Sequence, residues 1–259
     1  STISSIPESL IDAGGLKIYT TLDIDMQANL EKNILENKVD DEIQVASVVV
    51  DPNTGAIRAL TGGMDYAKSQ FNRAISSKRQ VGSTMKPFLY YAALENNMTM
   101  SSTFSSVPTT FTLSNGQTYS PSNANKLYAN KEITMAAALA LSDNIYAIKT
   151  NLFLGVDKMI DVAHRTGIQA ELDAVASLPL GTSEINLLDF ATGYTTFATG
   201  GYQKELYFIE KVEDLNGNVL YEHKDEKKLV LNPNYTYILN EIMNTTSNDA
   251  FVDYTTPTA

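Results

Sequence analysis

Residues 81–88 read Val81-Gly82-Ser83-Thr84-Met85-Lys86-Pro87-Phe88, and they open an apolar segment that runs to about Asn96. The pattern predicts a helix from Ser83, with Ser83 and Lys86 three residues apart at its start. One turn then stacks the hydroxyl and the amine on the same face, within hydrogen-bond reach. That geometry suits a serine nucleophile with a lysine base, because lysine can be tuned to neutrality and arginine cannot. Taking a lysine from about 10.4 down to around 7 costs roughly 4 to 5 kcal/mol, which burial and a second cationic neighbour can supply. The free amides of the helix start, that of Ser83 among them, point where negative charge develops on an acyl carbonyl, and one such donor is worth roughly 3 to 4 kcal/mol.

By itself the pair carries little. About one Ser-x-x-Lys is expected by chance in a chain this long, and this chain contains one. A serine at a helix start is ordinarily an N-cap, and a lysine one turn in is ordinarily solvated. Context comes from Gly82, which lets backbone approach closely before Ser83, and from Ser142-Asp143-Asn144, three polar residues that interrupt two apolar helices. A Ser142 hydroxyl there can relay a proton, and an Asn144 amide can orient a substrate. Read alone, the same three residues are a helix break, with Ser142 or Asn144 capping the next helix.

Outward from these motifs the chain alternates strands and helices. Lys17 to Leu22 reads as an edge strand, and Asp23 starts a helix in which Met26, Leu30 and Ile34 recur at four-residue spacing. Val45 to Val50 and Ala56 to Thr61 flank the turn Asp51-Pro52-Asn53-Thr54-Gly55 as a hairpin, with the first strand central. Helices are expected over 132–141, 144–154 and 157–165, the last stopped by Gly167, and a long polar stretch occupies 101–130. Asn186 opens a further helix to Gly200-Gly201. Phe208–Val212 and Val219–His223 flank Asn216-Gly217 as a second hairpin, and Asn232-Pro233 caps a helix to about Met243, with 244–259 a loop. Hairpins around a block of helices predict an α+β domain of antiparallel strands plus a helical lobe.

Composition narrows the function. The chain of 259 residues is 43% hydrophobic and 19% charged, an ordinary globular balance. A net charge of -11 without any cluster of Lys and Arg disfavours nucleic acid and anionic lipid. With no cysteine and only His164 and His223 for histidines, no metal site, disulfide or Cys nucleophile is expected, and no cofactor. No window reaches the roughly 18 to 20 apolar residues of a membrane helix.

Ser-x-x-Lys and Ser-Asp-Asn are two of the three elements, with Lys-Thr-Gly, that mark serine β-lactamases and penicillin-binding proteins. The run from Gly62-Gly63-Met64-Asp65-Tyr66 through Phe71-Asn72-Arg73-Ala74 to Arg79-Gln80-Val81-Gly82-Ser83-Thr84-Met85-Lys86-Pro87-Phe88 resembles the core signature of class A penicillin-binding proteins. Ile18 to Asp23, Asp51 to Gly55, Leu178 to Gly181 and Phe190 to Gly201 extend the likeness over nearly the whole chain. Val81 departs from it, where the family usually carries proline.

The resemblance implies the penicillin-binding protein and serine β-lactamase-like transpeptidase fold. It implies that Ser83 is acylated by the penultimate D-Ala of a peptidoglycan stem peptide, that Lys86 is its base, and that Ser142 and Asn144 assist proton transfer and substrate binding. Partners would be stem peptides and β-lactam antibiotics, at the extracytoplasmic face of a bacterial membrane to which the parent is anchored. Residues 1–16 would be an interdomain linker remnant and 17–259 the transpeptidase domain, incomplete at its C-terminus.

The resemblance breaks at the third motif. No Lys-Thr-Gly comes after Ser142-Asp143-Asn144, and Arg165-Thr166-Gly167, which imitates it, reads as a helix stop. A docked C-terminal fragment of the same protein, released by a nick after Met243, is expected to carry that motif and the missing strands; without them the oxyanion hole lacks its second amide. A serine β-lactamase or D,D-carboxypeptidase is the nearest rival. The Glu-x-x-Leu-Asn pattern of hydrolytic class A β-lactamases is absent, and Glu171-Leu172-Asp173 and Glu184 do not fit it. A non-catalytic β-lactam sensor or scaffold is the rival from another class.

Overall fold

The computed structural model describes residues 6–40, 42–113 and 115–247. The chain forms two compact units, one of residues 1–77 with 186–228 and one of 78–185 with 229–259. The mixture of antiparallel strands and helices matches the expected α+β class.

In the first unit, Lys17–Thr20 lies at the edge of a three-stranded antiparallel sheet, beside Ile209–Glu213 and then Val219–Glu222. The turn at Asn216-Gly217 forms because Asp214 Oδ1 accepts the amides of Asn216 and Asn218, while Gly217 takes a φ of 82°. Asp23 caps the helix Ile24–Glu36 by accepting the Met26 amide at 2.9 Å. That helix lies against the strand Ile57–Thr61. Gln27 reads the strand as a backbone would, taking the Leu60 amide at 2.8 Å and donating to the Leu60 carbonyl at 3.0 Å.

Ser47–Val50 and Ile57–Thr61 form the expected antiparallel hairpin, but the first strand is not central. Among the described residues it pairs with Ile57–Thr61 alone. Its β-branched run reflects half-burial at every position, with the helix Leu187–Ala198 packed on it, and not a second strand neighbour. The run from Gly62 to Arg73 folds back on itself. The Arg73 amide donates to the Gly62 carbonyl at 3.0 Å, Asn72 caps Arg73–Ser76, and a Cβ on Gly62 would meet Asn72 Oδ1 at 2.4 Å.

The second unit is built on the helix Lys86–Glu95, of which every residue up to Leu94 is buried. A helix apolar all round needs neighbours on every side. Asn144–Leu154, Val156–Arg165 and Pro233–Asn244 supply them. Arg165 holds Glu95 with both terminal guanidinium nitrogens and Asp161 through Nε, so it serves helix packing. Gly167 then ends the helix at a φ of 104°, as its sequence position predicts. The polar stretch 101–130 is structured: Thr103–Ser105 pairs with Glu132–Thr134, and Phe111–Thr112 with Thr118–Tyr119. Glu132–Thr134 is therefore strand where helix is expected, and the helix begins at Met135. Of the loop expected over 244–259, Asn244 is the last residue of the helix Pro233–Asn244, Thr245–Ser247 form a 3-10 turn, and 248–259 lie outside the described residues.

Candidate active site

Ser83 does not stand on an α-helix. Gly82–Met85 is a 3-10 turn whose last bond runs from the Lys86 amide to the Ser83 carbonyl, and the α-helix starts at Lys86. The helix has no side-chain cap, so Ser83 is not its N-cap, and its half-buried side chain makes no hydrogen bond among the described residues. Behind it the backbone is tight. Gly181, at a φ of 68°, sits so close that a Cβ there would meet Gly82 N and O at 2.2 Å, and its carbonyl accepts the Gly82 amide at 3.3 Å. Glycine at 181 is required by that contact; at Gly82, where a close approach is expected, a Cβ would meet nothing within 4 Å, and it is the φ of 63° that favours glycine.

Lys86 is 0% exposed. Its Nζ does not reach Ser83 by a hydrogen bond, contrary to the one-turn stacking expected. It lies 2.6 Å from the Ser142 carbonyl, 2.9 Å from Ser142 Oγ and 2.8 Å from Asn144 Oδ1. The structure thus brings Lys86, Ser142 and Asn144 together across more than fifty residues of sequence, with Ser83 one turn before the lysine. Burial pulls the Lys86 amine down to about 7, and the Asp143 carboxylate, the charge that faces it, pushes the other way. The second cationic neighbour expected from sequence is not what lowers it.

Those three contacts suit both protonation states. An ammonium donates to all three oxygens. A neutral amine donates to the two pure acceptors, the Ser142 carbonyl and Asn144 Oδ1, and its lone pair accepts from the Ser142 hydroxyl. Ser142 Oγ is accordingly the atom through which the amine can gain or lose a proton.

Ser142 holds its position at a cost in backbone strain. The helix Met135–Ala140 ends with the Ser142 amide bonded to the Leu139 carbonyl and the Asp143 amide to that of Ala138, which forces a left-handed residue at 142. The helices ending at Glu95, Arg165 and Ala198 close alike, with Asn97, Gly167 and Gly200 at the equivalent place, residues that tolerate the conformation. Ser142 adopts a φ of 52° instead. A serine there costs roughly 1 to 2 kcal/mol, and what it provides is a hydroxyl on Lys86.

The cap of the next helix, Asn144–Leu154, is Asp143, neither of the residues its sequence suggests. Asp143 Oδ1 accepts the Tyr146 amide at 2.7 Å, and Oδ2 accepts from Ser106 Oγ and, at 2.7 Å, from Asn123 Nδ2. Nothing in the sequence marks Asn123 and Ser106 for this role. They sit in the polar stretch, twenty or more residues away, where there is no periodicity to read.

The family described as the penicillin binding protein transpeptidase domain matches residues 45–256. Penicillin-binding protein 2D of Bacillus subtilis (strain 168) is 44% identical over 235 residues, covering 90% of this chain and 34% of that protein. The crystal structure of penicillin-binding protein 1A from Haemophilus influenzae is 29% identical, with a TM-score of 0.72 over 78% of this chain and 35% of that one. The PonA1 protein from Mycobacterium tuberculosis in complex with penicillin V is 25% identical, with a TM-score of 0.80 over 92% of this chain and 65% of that one. The chain spans about a third of the length of the Bacillus relative.

Proposed function

The chain belongs to the penicillin-binding protein transpeptidase domain family, and from that premise we propose that it carries out acyl transfer through Ser83, cross-linking peptidoglycan stem peptides as a D,D-transpeptidase. The observation that carries the reading is Lys86. A lysine buried at 0% exposure, held near neutrality and bonded to a serine hydroxyl, is a base kept ready at a structural cost no packing role requires.

In the proposed reaction Ser83 Oγ attacks the carbonyl of the penultimate D-Ala. Its proton passes to the Lys86–Ser142 pair as the C–O bond forms. The amide C–N bond then breaks, and the terminal D-Ala leaves with the proton returned through the same pair. The amine of a neighbouring stem attacks the Ser83 ester and loses its proton to Lys86; the ester C–O bond then breaks, the same proton passes to Ser83 Oγ, and Ser83 is freed with the new peptide bond made. Asn144, whose Nδ2 is bonded to the Ser122 carbonyl and whose Oδ1 is on Lys86, fixes the amine's orientation and borders the substrate. A β-lactam stops the cycle at the acyl-enzyme.

The same reading takes residues 17–259 as the transpeptidase domain and 1–16 as linker. It places the parent at the outer face of a bacterial cell membrane.

Incubation with penicillin V and intact-mass measurement tests the reading. One covalent adduct, absent from Ser83→Ala, is the expected result. A folded protein that acquires no adduct, or one that Ser83→Ala still acquires, contradicts it.

A further inference from the structure

We propose that Asn123, on the polar stretch between the two motifs, is a positioning residue for acyl transfer: through Asp143 and the amide of Asn144 it holds Ser142 and Asn144 on the Lys86 amine. The inference rests on the acyl-transfer reading and adds a residue to that site.

The first amides of a helix have no partner within it, and each must find one elsewhere. At Asn144–Leu154 all four are met. The Asp143 amide donates to the Ala138 carbonyl, Asn123 Oδ1 accepts the amides of Asn144 at 2.8 Å and Ile145 at 3.4 Å, and Asp143 Oδ1 accepts that of Tyr146. Two of the four are satisfied by a side chain about twenty residues earlier. The other end of Asn123 is equally committed, with Nδ2 donating to Asp143 Oδ2 at 2.7 Å and to the Leu127 carbonyl at 2.9 Å. Asn123 is 8% exposed, Asp143 4% and Ser106 0%, so these bonds form out of water, where a lost partner is costly.

This arrangement answers a question that the strain at Ser142 raises. A serine at a φ of 52° persists only where its surroundings over-determine it. On its N-terminal side the helix ending at Ala140 fixes it. On its C-terminal side stand Asp143 and Asn144, and both are gripped by Asn123. Removing the Asn123 side chain leaves the Asn144 and Ile145 amides unpaired and takes one donor from the Asp143 carboxylate. The turn can then relax from its left-handed form, and the Ser142 and Asn144 oxygens withdraw from Nζ.

Lys86 reports that relaxation. Its depressed pKa owes first to burial, so admitting water raises it toward the ordinary lysine value. Asp143 is the charged group facing it, and Tyr90 and Tyr146 are the ionisable side chains near Asp143. Neither tyrosine changes charge around neutrality, since burial holds both above the ordinary tyrosine value.

The test compares wild type with Asn123→Ala and Ser106→Ala by urea denaturation, by the Lys86 titration midpoint from 13Cε NMR, and by the rate of Ser83 acylation by penicillin V across pH. Asn123→Ala is expected to raise the Lys86 midpoint by at least one pH unit, to slow acylation at pH 7 at least tenfold, and to move the rising limb of the pH profile to higher pH. Ser106→Ala, which takes a single donor from Asp143, shifts each in the same direction by less. A folded Asn123→Ala with the wild-type midpoint overturns the proposal. If that variant does not fold, an unchanged midpoint in Ser106→Ala overturns it. A wild type that penicillin V never labels counts against the acyl-transfer reading, while the Lys86 midpoint, read without acylation, still decides the role of Asn123.

Discussion

Replacing Ser142 by alanine and, separately, by glycine divides the cost of its backbone from the value of its hydroxyl. Both variants lose the 2.9 Å bond to Lys86 Nζ, worth about 1 kcal/mol or somewhat more. Alanine keeps the left-handed strain at φ 52°, roughly 1 to 2 kcal/mol, and glycine removes it. Glycine gives back about 0.5 to 1 kcal/mol in chain entropy. Ser142→Gly is therefore expected to be more stable than Ser142→Ala by about 0.5 to 1 kcal/mol, the reverse of the order found inside helices. Urea denaturation midpoints at constant slope measure the difference. Both variants lose the hydroxyl proposed as the proton relay, so acylation by penicillin V is expected to fall by about a hundredfold or more in each. An alanine variant as stable as the glycine variant, or a glycine variant that acylates at the wild-type rate, refutes the claim that strain is retained here for the hydroxyl.

Other perturbations probe the same geometry. Tyr90 is fully buried and its hydroxyl has no partner among the described residues, so Tyr90→Phe should raise stability by about 1 kcal/mol, seen as a higher Tm. Gly181→Ala drives a Cβ into the Gly82 backbone and is expected to abolish most acylation, with a stability loss of about 1 to 3 kcal/mol by urea denaturation. Lys86→Met carries the pH dependence. A lysine at about 7 in the fold and 10.5 unfolded binds fewer protons in the folded state between those values, so wild-type stability gains with rising pH from 7 to 10.5 and the penalty is constant below 7. Stability of wild type relative to Lys86→Met should thus climb by about 4 to 5 kcal/mol across that window, and a flat difference contradicts the shift.

Much of this is legible in the sequence because it is local. Asp23, Asn186 and Asn232 cap the helices they are expected to cap, since an N-cap is read within three residues. Gly167 and Gly200 stop theirs because a left-handed residue is needed there. The features that sequence leaves hidden depend on partners distant along the chain. The Lys86 contacts span 56 and 58 residues, so the motif spacing places Ser83 and Lys86 one turn apart without showing that Nζ turns to Ser142. The grip of Asn123 on Asp143 and Asn144 leaves no periodicity to find. The β-branched strand Ser47–Val50 reads as central because half-burial under a helix gives the same composition as two strand neighbours.

The proposed acyl transfer through Ser83 turns on Lys86 being a buried amine poised to take and return a proton, and its own titration is the direct measurement. In the folded protein, with lysines 13Cε-labelled and Lys86→Met used to assign the signal, a midpoint near 7 is expected. A midpoint near 10.4, about the value of an ordinary solvated lysine, contradicts it.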